Sequence, residues 1–440
     1  MLELVSTAAQ EDSPPQEPSF GRHYDFVPPV QLSDYMVYTN GQPYEAYARM
    51  RENAPVCWCT EDEFSGFWAL TRYEDIRAVE LDMTTFSSQR GGINMNYGPP
   101  ETRHPLLNRA AFDNMICLDA PVHLQLRREH MPFFTASYVA DLRKKVDAQV
   151  TKLLDDMAAK GPVLDLVENF SAELPLFTLS EILGIPEADR PKLVRWMHYL
   201  ELAQDALTRD AVGEMDPAFM FEFLTNVQEM FDYGQSMLQA RRTEPRNDLL
   251  SAIANAEING APLPDEFLDG SWLLIVFAGN DTTRNSISGS MRLLSQFPDQ
   301  KQKLIQDASL LPNFVHEAIR MVSPVIYMRR TATCDTEIRG QRIAEGEKVL
   351  MYYGAANRDP AVFEEPDNFD VTRENAKEHI AFGLGPHVCL GQRIANMQLE
   401  AAFQQILARF PDVVCNGDVK IAPSNFVHAI SYLEVDLGKR

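Results

Sequence analysis

Hydrophobic residues recur with helical spacing through most of the chain between Pro121 and Leu310. Because a helical turn takes 3.6 residues, this spacing gives each segment one apolar face that can pack against a core. The segment Asp265 to Leu294 is the longest predicted helix, and its first half is apolar. Proline and glycine clusters divide the region into separate predicted helices at Pro132, Gly161-Pro162, Gly184 to Pro191, Pro217, Pro245 and Gly260 to Pro264.

Outside this region the pattern changes near both ends of the chain. Shorter helices are predicted at Pro43 to Asn53, Tyr73 to Leu81 and Gln392 to Phe410. Strands are predicted at Val56 to Cys59, Gly66 to Thr71, Met328 to Ile338, Gln341 to Tyr353 (with a turn at Arg339-Gly340) and Asn425 to Leu437. The pattern therefore predicts a mainly α (α+β) protein with a large helical lobe and a smaller β-rich lobe.

Stretches without helical or strand periodicity indicate how the chain is divided into domains and loops. Residues 1–30 are rich in Pro, Ser and Glu, and we expect a flexible N-terminal arm with no core of its own. Residues 31–440 contain no second linker or repeat, so we expect one two-lobed domain. The irregular stretch Ser87 to Asn114 is long for a connection, which is typical of a functional or mobile loop.

Net charge limits the kinds of binding partner, and cysteine content indicates the cellular compartment. The chain carries 40 Lys+Arg against 63 Asp+Glu, a net charge of -23 that argues against binding nucleic acid or an anionic membrane. The N-terminus lacks a basic start and a long apolar run, so we expect neither a signal peptide nor a membrane anchor. Its 6 cysteines show no paired metal-ligand spacing, and a cytoplasmic location is the simplest expectation.

The stretch Ala381 to Gly391 is the strongest candidate for chemistry. It contains three glycines, one proline and the single Cys389, and it leads directly into a predicted helix. The glycines let backbone approach a flat or bulky group, while free N–H groups at a helix start favour a thiolate. A thiolate in such a loop suits a soft metal centre such as haem iron. A buried structural cysteine is the alternative, since His387 and Cys389 supply too few ligands for zinc and would not form a productive nucleophile pair.

A second candidate lies inside the longest predicted helix, where residues 278–283 read Ala-Gly-Asn-Asp-Thr-Thr. A mid-helix glycine such as Gly279 costs about 1 kcal/mol relative to alanine. Asp281 and Thr282 stand side by side in an otherwise apolar helix, where polar groups need partners or a purpose. The alternative to a functional role is a local kink in which a threonine hydroxyl bonds back to a backbone carbonyl.

Both stretches resemble signatures of the cytochrome P-450 family. The first matches all five fixed positions of the haem-binding pattern Phe-x-x-Gly-x-[Arg/His]-x-Cys-x-Gly, at Phe382, Gly385, His387, Cys389 and Gly391. The second matches the family's oxygen-activation pattern Ala-Gly-x-[Asp/Glu]-Thr-Thr. The resemblance implies the two-lobed cytochrome P-450 fold with haem b (iron protoporphyrin IX) between the lobes, Cys389 as the iron ligand, and Phe382, Gly385, Gly391 and Ala278 at the cofactor.

The resemblance also implies roles for residues elsewhere in the chain. Thr282 would hydrogen-bond dioxygen and Asp281 would bring protons through water, because heterolytic O–O cleavage must release water. The haem propionates would accept charge-assisted hydrogen bonds from His123, Arg127, Arg330 and His387. A buried structural triad would consist of Glu317, Arg320 and Arg373.

The substrate pocket is expected where the resemblance is weakest, at Gln89 to Phe112 and Arg195 to Phe231. By residue-wise comparison its wall would comprise Leu274, Phe277, Ala278, Thr282, Ile326, Met328, Phe426 and Val427. Nearly all are apolar, so we expect a hydrophobic small molecule oriented by shape, such as an alkane, terpene, steroid or aromatic compound.

Electrons are expected from a separate ferredoxin with its ferredoxin reductase, because the chain shows no nucleotide-binding fingerprint. Residues 121–150 carry Arg127, Arg128, Arg143, Lys144 and Lys145 against three carboxylates, which is either ordinary helix surface or a docking face for an acidic ferredoxin.

The leading hypothesis is an O2-dependent haem-thiolate monooxygenase. A haem-thiolate isomerase or coupling enzyme of secondary metabolism and a non-catalytic haem sensor are the alternatives; the Asp281-Thr282 pair argues against the sensor.

Overall fold

The structure is a computed structural model that describes residues 26–61, 65–95, 112–197, 199 and 217–438. Its helices are α1 (Tyr44–Asn53), α2 (Tyr73–Leu81), α3 (Val122–His130), α4 (Ala136–Lys160), α5 (Glu173–Leu183), α6 (190–197), α7 (Pro217–Thr243), α8 (Leu249–Ala254), α9 (Asp265–Gln296), α10 (Pro298–Gln306), α11 (Leu311–Val322), α12 (Tyr353–Ala356) and α13 (Gln392–Arg409). Its strands are β1 (Val56–Thr60), β2 (Gly66–Leu70), β3 (Phe86–Ser87), β4 (Val163–Asp165), β5 (Glu257–Ile258), β6 (Ala261–Pro262), β7 (Tyr327–Ala332), β8 (Thr336–Ile338), β9 (Gln341–Ile343), β10 (Lys348–Tyr352), β11 (Val419–Ala422) and β12 (Ala429–Asp436).

The predicted helical lobe is confirmed and is built around α9. This helix has 32 residues and ends at Gln296, two residues beyond the predicted end. At 1.5 Å per residue it is about 48 Å long. Helices α5, α7, α11 and α13 all pack against it, so most of its length is buried. None of the described helices is long and apolar enough to cross a membrane.

The predicted β-rich lobe is also confirmed, with corrections to its strands. Its main sheet has the order β1-β2-β10-β7-β3, and only β2 and β10 run parallel. The predicted strand Met328 to Ile338 is interrupted: β7 ends at Ala332, and β8 starts at Thr336 and pairs with β9 instead of the main sheet. The predicted turn at Arg339-Gly340 joins β8 to β9, and both residues have positive φ angles of 50° and 78°. The last predicted strand begins four residues late, at Ala429.

Three short strands interrupt the region that was predicted to be nearly all helical. Strand β4 joins β12 and β11 in a small sheet, and β5 pairs with β6 across a tight turn. Phe26 and Val30, which belong to the predicted arm, pack against the core of the β-rich lobe. Residues 1–25 of the predicted arm, and residues 96–111 and 200–216 of the two variable regions, lie outside the described residues.

The buried triad predicted from the resemblance is present. Glu317 and Arg320 are both 0% exposed, and the Arg320 Nε and Nη2 donate to the two Glu317 carboxylate oxygens at 2.7 and 2.9 Å. The Nε of Arg373 donates to Glu317 Oε1 at 3.0 Å. Arg320 also donates to the carbonyls of Asn357 and Pro366, at 2.7 and 2.8 Å. These bonds tie α11 to the long connection that follows α12.

We expect Glu317→Gln to lower the free energy of unfolding by about 3–5 kcal/mol, because the change leaves two arginines without their buried counter-charge. Denaturant unfolding followed by circular dichroism measures this change. The matched control is Asp141→Asn, which removes the carboxylate of an exposed ion pair with Lys144 at 2.9 Å. That control should change stability by less than about 0.5 kcal/mol, and equal effects of the two changes would refute a structural role for the triad.

Candidate active site

A single cavity connects the cysteine loop to the middle of α9. The loop contributes Phe382, Cys389 and their neighbours to the cavity wall, and α9 contributes Leu274, Ala278 and Thr282. Much of the remaining wall comes from α3, α5 and β7, and α2, α8, α11, α12 and α13 contribute further residues. The two stretches that the sequence singled out therefore line the same cavity.

The backbone of the loop Phe382–Gly391 explains its glycines. Gly383 and Gly385 have φ angles of 69° and 63°, in the left-handed region that side chains disfavour. A Cβ on Gly385 would also lie 2.9 Å from the backbone oxygen of Glu80, at the end of α2. The Cys389 N–H donates to the Phe382 carbonyl at 2.8 Å and closes the loop, which holds the thiol at the cavity wall.

Opposing influences act on the pKa of the Cys389 thiol. Burial raises the pKa of the Cys389 thiol, while the backbone N–H groups of Gly391 and Gln392 and the charge of Arg127 lower it. The net pKa shift is upward, although the Cys389 side chain itself is exposed at the cavity wall. Binding of a metal ion deprotonates a ligating thiol, so a bound iron would supply the missing stabilisation.

One end of the cavity is polar, and it collects the four residues that the resemblance assigns to the propionates. His123, Arg127, Arg330 and His387 all line the wall, and the two imidazole rings stack with centroids 3.9 Å apart. Burial, followed by the nearby arginines, lowers the pKa of His123 to about 4 and that of His387 to about 2. Both imidazoles are therefore neutral near pH 7 in this structure.

The two arginines already have partners within the protein. Arg127 Nη2 donates to the Val388 carbonyl at 2.6 Å, directly before Cys389. Arg330 Nη2 donates to the buried carboxylate of Glu80 at 2.7 Å. Sequence reasoning missed Glu80, because it lies 250 positions from Arg330 and belongs to no local motif. Unlike the arginines, His123 keeps one buried ring nitrogen, Nδ1, without a hydrogen-bond partner among the described residues.

On α9, Thr282 and Asp281 have different surroundings. Thr282 lines the cavity, and its hydroxyl donates to the Ala278 carbonyl at 3.2 Å, which is the local bond that the structural alternative required. Asp281 is buried outside the cavity wall, where it accepts hydrogen bonds from Arg284 at 2.5 Å and Asn285 at 3.2 Å. Burial raises the pKa of Asp281, and these two partners oppose the shift. The structure thus brings Thr282, but not Asp281, to the cavity.

The predicted substrate wall needs correction. Leu274, Ala278, Thr282 and Met328 line the cavity, but Phe277, Ile326, Phe426 and Val427 do not. Phe277 packs against the core of the helical lobe, and the other three belong to the core of the β-rich lobe. The Ile326 N–H donates to the Phe426 carbonyl at 2.9 Å, which holds the C-terminal turn against the start of β7 and away from the cavity.

Several wall residues were missed. The apolar ones include Leu179, Ile182, Ile275 and Val325. Leu179 explains the mid-helix glycine, because a Cβ on Gly279 would lie 3.0 Å from its methyl group. His130 is the unexpected polar member: it is 4% exposed, and neither ring nitrogen has a hydrogen-bond partner among the described residues. It follows His123 by seven residues on α3, so helical spacing alone could have placed it on the same face.

The residues around the cavity fit a haem. Glycines let the loop backbone approach a flat group, Cys389 presents a soft ligand, and the unpartnered Nδ1 of His123 lies beside two arginines at the polar end, where carboxylates would bind. Cys389 would hold the iron, and His123, Arg127, Arg330 and His387 would hold the propionates. A bound haem supplies redox chemistry that no side chain of this chain can supply. Fold and site together define a haem-thiolate protein.

Comparisons with known proteins agree with this class. The cytochrome P-450 family model matches residues 109–431. Linalool 8-monooxygenase of Pseudomonas putida is 37% identical over 407 residues, which cover 91% of this chain and 97% of that protein. The methyl-branched lipid omega-hydroxylase of Mycobacterium tuberculosis is 34% identical over 401 residues, covering 89% and 90%. The structure of Mycobacterium marinum cytochrome P-450 CYP268A2 in complex with pseudoionone aligns with a TM-score of 0.83 at 33% identity, covering 94% and 99%.

The chain belongs to the cytochrome P-450 family, whose members bind haem b. It is a monooxygenase, an oxidoreductase that uses O2. The sensor, isomerase and coupling-enzyme alternatives are therefore set aside.

We expect Cys389→Ser to abolish the strongly red-shifted Soret band of the reduced carbon monoxide complex, because that band requires a thiolate ligand. Absorption spectra of the haem-loaded variant measure this change. The matched control is Cys415→Ser, which alters a partly buried cysteine outside the cavity wall and should keep the band. A normal band in Cys389→Ser would show that another group ligates the iron.

Proposed function

We propose that this monooxygenase hydroxylates a hydrophobic small molecule of terpenoid or branched-lipid type. The observation that carries this proposal is the apolar wall facing the Cys389 side of the cavity, to which α9 contributes Leu274 and Ile275 and the entry to β7 contributes Val325 and Met328. Such a wall selects ligands by shape and apolar area rather than by polar contacts. The relatives named for linalool and for methyl-branched lipids, and the related structure that holds pseudoionone, support the same chemical class.

Within this proposal Thr282 is the catalytic hydroxyl, because its side chain is at the cavity wall where dioxygen and substrate would meet. Asp281 acts from behind the wall as the carboxyl group that supplies the proton. Its carboxylate is held by Arg284 and Asn285, so it can deliver a proton to the cavity only after its side chain rotates. The two residues of the sequence motif therefore have separate parts in the proposed proton supply.

We expect linalool and pseudoionone to convert the haem-loaded enzyme from low to high spin, with substrate-dependent NADH consumption coupled to a hydroxylated product. Leu274→Ala should weaken terpenoid binding about tenfold, because losing most of a buried leucine side chain costs at least about 1.4 kcal/mol. Leu273→Ala is the matched control: it makes the same change one residue earlier, where the side chain packs into the helical core. A spin response limited to polar or charged compounds would contradict the proposed substrate class.

We also propose a cytoplasmic location, because all six cysteines are free thiols. The proposed electron donor is a separate ferredoxin with its ferredoxin reductase. The basic residues of 121–150 contribute unequally to a docking face. Arg143, Lys144 and Lys145 form ion pairs with Asp147, Asp141 and Glu181, at 2.7, 2.9 and 2.8 Å, which offsets their charge. Arg128 is exposed next to Arg127, whose guanidinium contacts the Cys389 loop. It is therefore the best single candidate for steering an acidic partner.

We expect Arg128→Glu to slow electron transfer from ferredoxin about tenfold at low salt, because steering charges change association rates by factors of ten or more. Stopped-flow reduction across a range of ionic strength measures this effect, which should shrink as salt rises. Lys144→Glu should have a smaller effect, since Asp141 already offsets the Lys144 charge. Wild-type kinetics at every salt concentration in Arg128→Glu would remove this face from the proposal.

A further inference from the structure

Glu80 is a buried carboxylate at the polar end of the cavity, and neither the family signatures nor the proposed chemistry uses it. It lies in the last turn of α2, is 2% exposed and contributes to the cavity wall. Its Oε2 accepts a hydrogen bond from Arg330 Nη2 at 2.7 Å, and its Oε1 accepts one from the hydroxyl of Tyr353. Arg330 and Tyr353 line the same cavity.

These contacts fix both the charge and the geometry of the site. A buried carboxylate is costly unless it is paired and hydrogen-bonded, and Glu80 has an ion-pair partner and a hydroxyl donor. Arg330 is held at two points, because its Nη1 also donates to the carbonyl of Arg329 at 3.0 Å. The guanidinium can therefore neither swing out of the wall nor present an uncompensated charge. Arg127 differs, since it donates to the neutral Val388 carbonyl.

The end of α2 is itself immobilised by the cysteine loop. The position of a Cβ on Gly385 lies 2.9 Å from the Glu80 carbonyl oxygen, and that of a Cβ on Gly383 lies 3.2 Å from Glu80 Oε1. The two glycines thus allow the loop to pack directly on Glu80. As a result, the carboxylate keeps a constant position relative to the residue that ligates the iron.

We propose that Glu80 is a positioning residue for the cofactor: it fixes Arg330 in the cavity wall and places a permanent negative charge at the propionate end of the haem. A fixed negative charge stabilises the ferric state, which carries one more positive charge than the ferrous state. Glu80 therefore lowers the reduction potential, and with it the driving force for the first electron. It also shares Arg330 with the propionate, so it weakens that propionate contact. This inference does not depend on the substrate class proposed above.

The test is Glu80→Gln in the haem-loaded protein, which keeps the size and one acceptor oxygen while removing the charge. The midpoint potential, measured by spectroelectrochemical titration, should shift to a more positive value than that of the wild type. Haem transfer to excess apomyoglobin should become slower, because Arg330 then offers its full charge to the propionate. The matched control is Glu345→Gln, which removes a carboxylate from an exposed ion pair with Arg90 at 3.0 Å and should change neither quantity.

Two outcomes of this test would overturn the proposal. An unchanged midpoint potential in a folded Glu80→Gln enzyme would show that the charge is not felt at the haem. Faster haem transfer would show that Glu80 only supports the fold of the wall.

Tyr353→Phe covers the case in which Glu80→Gln does not retain haem. This variant keeps the carboxylate and Arg330 but removes the hydroxyl dipole that partly screens the Glu80 charge. The midpoint potential should then shift to a more negative value, opposite in sign to the Glu80→Gln shift. A positive shift, or none, would contradict a role for the Glu80 charge, because general loosening of the site does not predict this sign.

Discussion

The position of the loop that carries Cys389 depends on the buried ion pair between Arg320 and Glu317. The charge of the Arg320 guanidinium is compensated by Glu317, and its remaining donors are used by the carbonyls of Asn357 and Pro366. Asn357 in turn holds the start of the cysteine loop, because its Oδ1 accepts a hydrogen bond from the Ile380 N–H at 2.8 Å, two residues before Phe382. A buried cation is tolerated only when its donors are satisfied in this way. Helix α11 thereby fixes the position at which the cysteine loop begins, although about 60 residues separate the two in sequence.

Sequence reasoning succeeded where the information is contiguous. The helical lobe follows from apolar periodicity over long segments. The glycines and the cysteine singled out the loop, and its resemblance to the cytochrome P-450 signature indicated a haem ligand. Reasoning failed where the decisive contact joins distant segments. Glu80 and Arg330 meet across 250 positions, and the C-terminal turn at Phe426 bonds to Ile326 instead of reaching the cavity. No local pattern encodes either contact.

Helical geometry alone could have excluded Phe277 from the predicted cavity wall on α9. Successive residues of a helix point about 100° apart, whereas residues four apart share a face. Leu274, Ala278 and Thr282 have this spacing and line the cavity together. Phe277 and Asp281 each lie one residue before a member of this stripe and do not line the cavity, whereas Ile275, one residue after Leu274, does. A motif match identifies which residue types are present, but the helical phase decides which of them face the cavity.

The close approach of Gly385 to the end of α2 has a consequence for laboratory evolution of this enzyme. Because any side chain at Gly385 would collide with the backbone of Glu80, the loop that carries Cys389 and helix α2 can change only in concert. The apolar wall differs, since Leu274 and Met328 line the cavity with side chains and not through a close backbone contact. Substrate range and cofactor environment are therefore separable traits, and a library that varies the wall can retain the haem site unaltered.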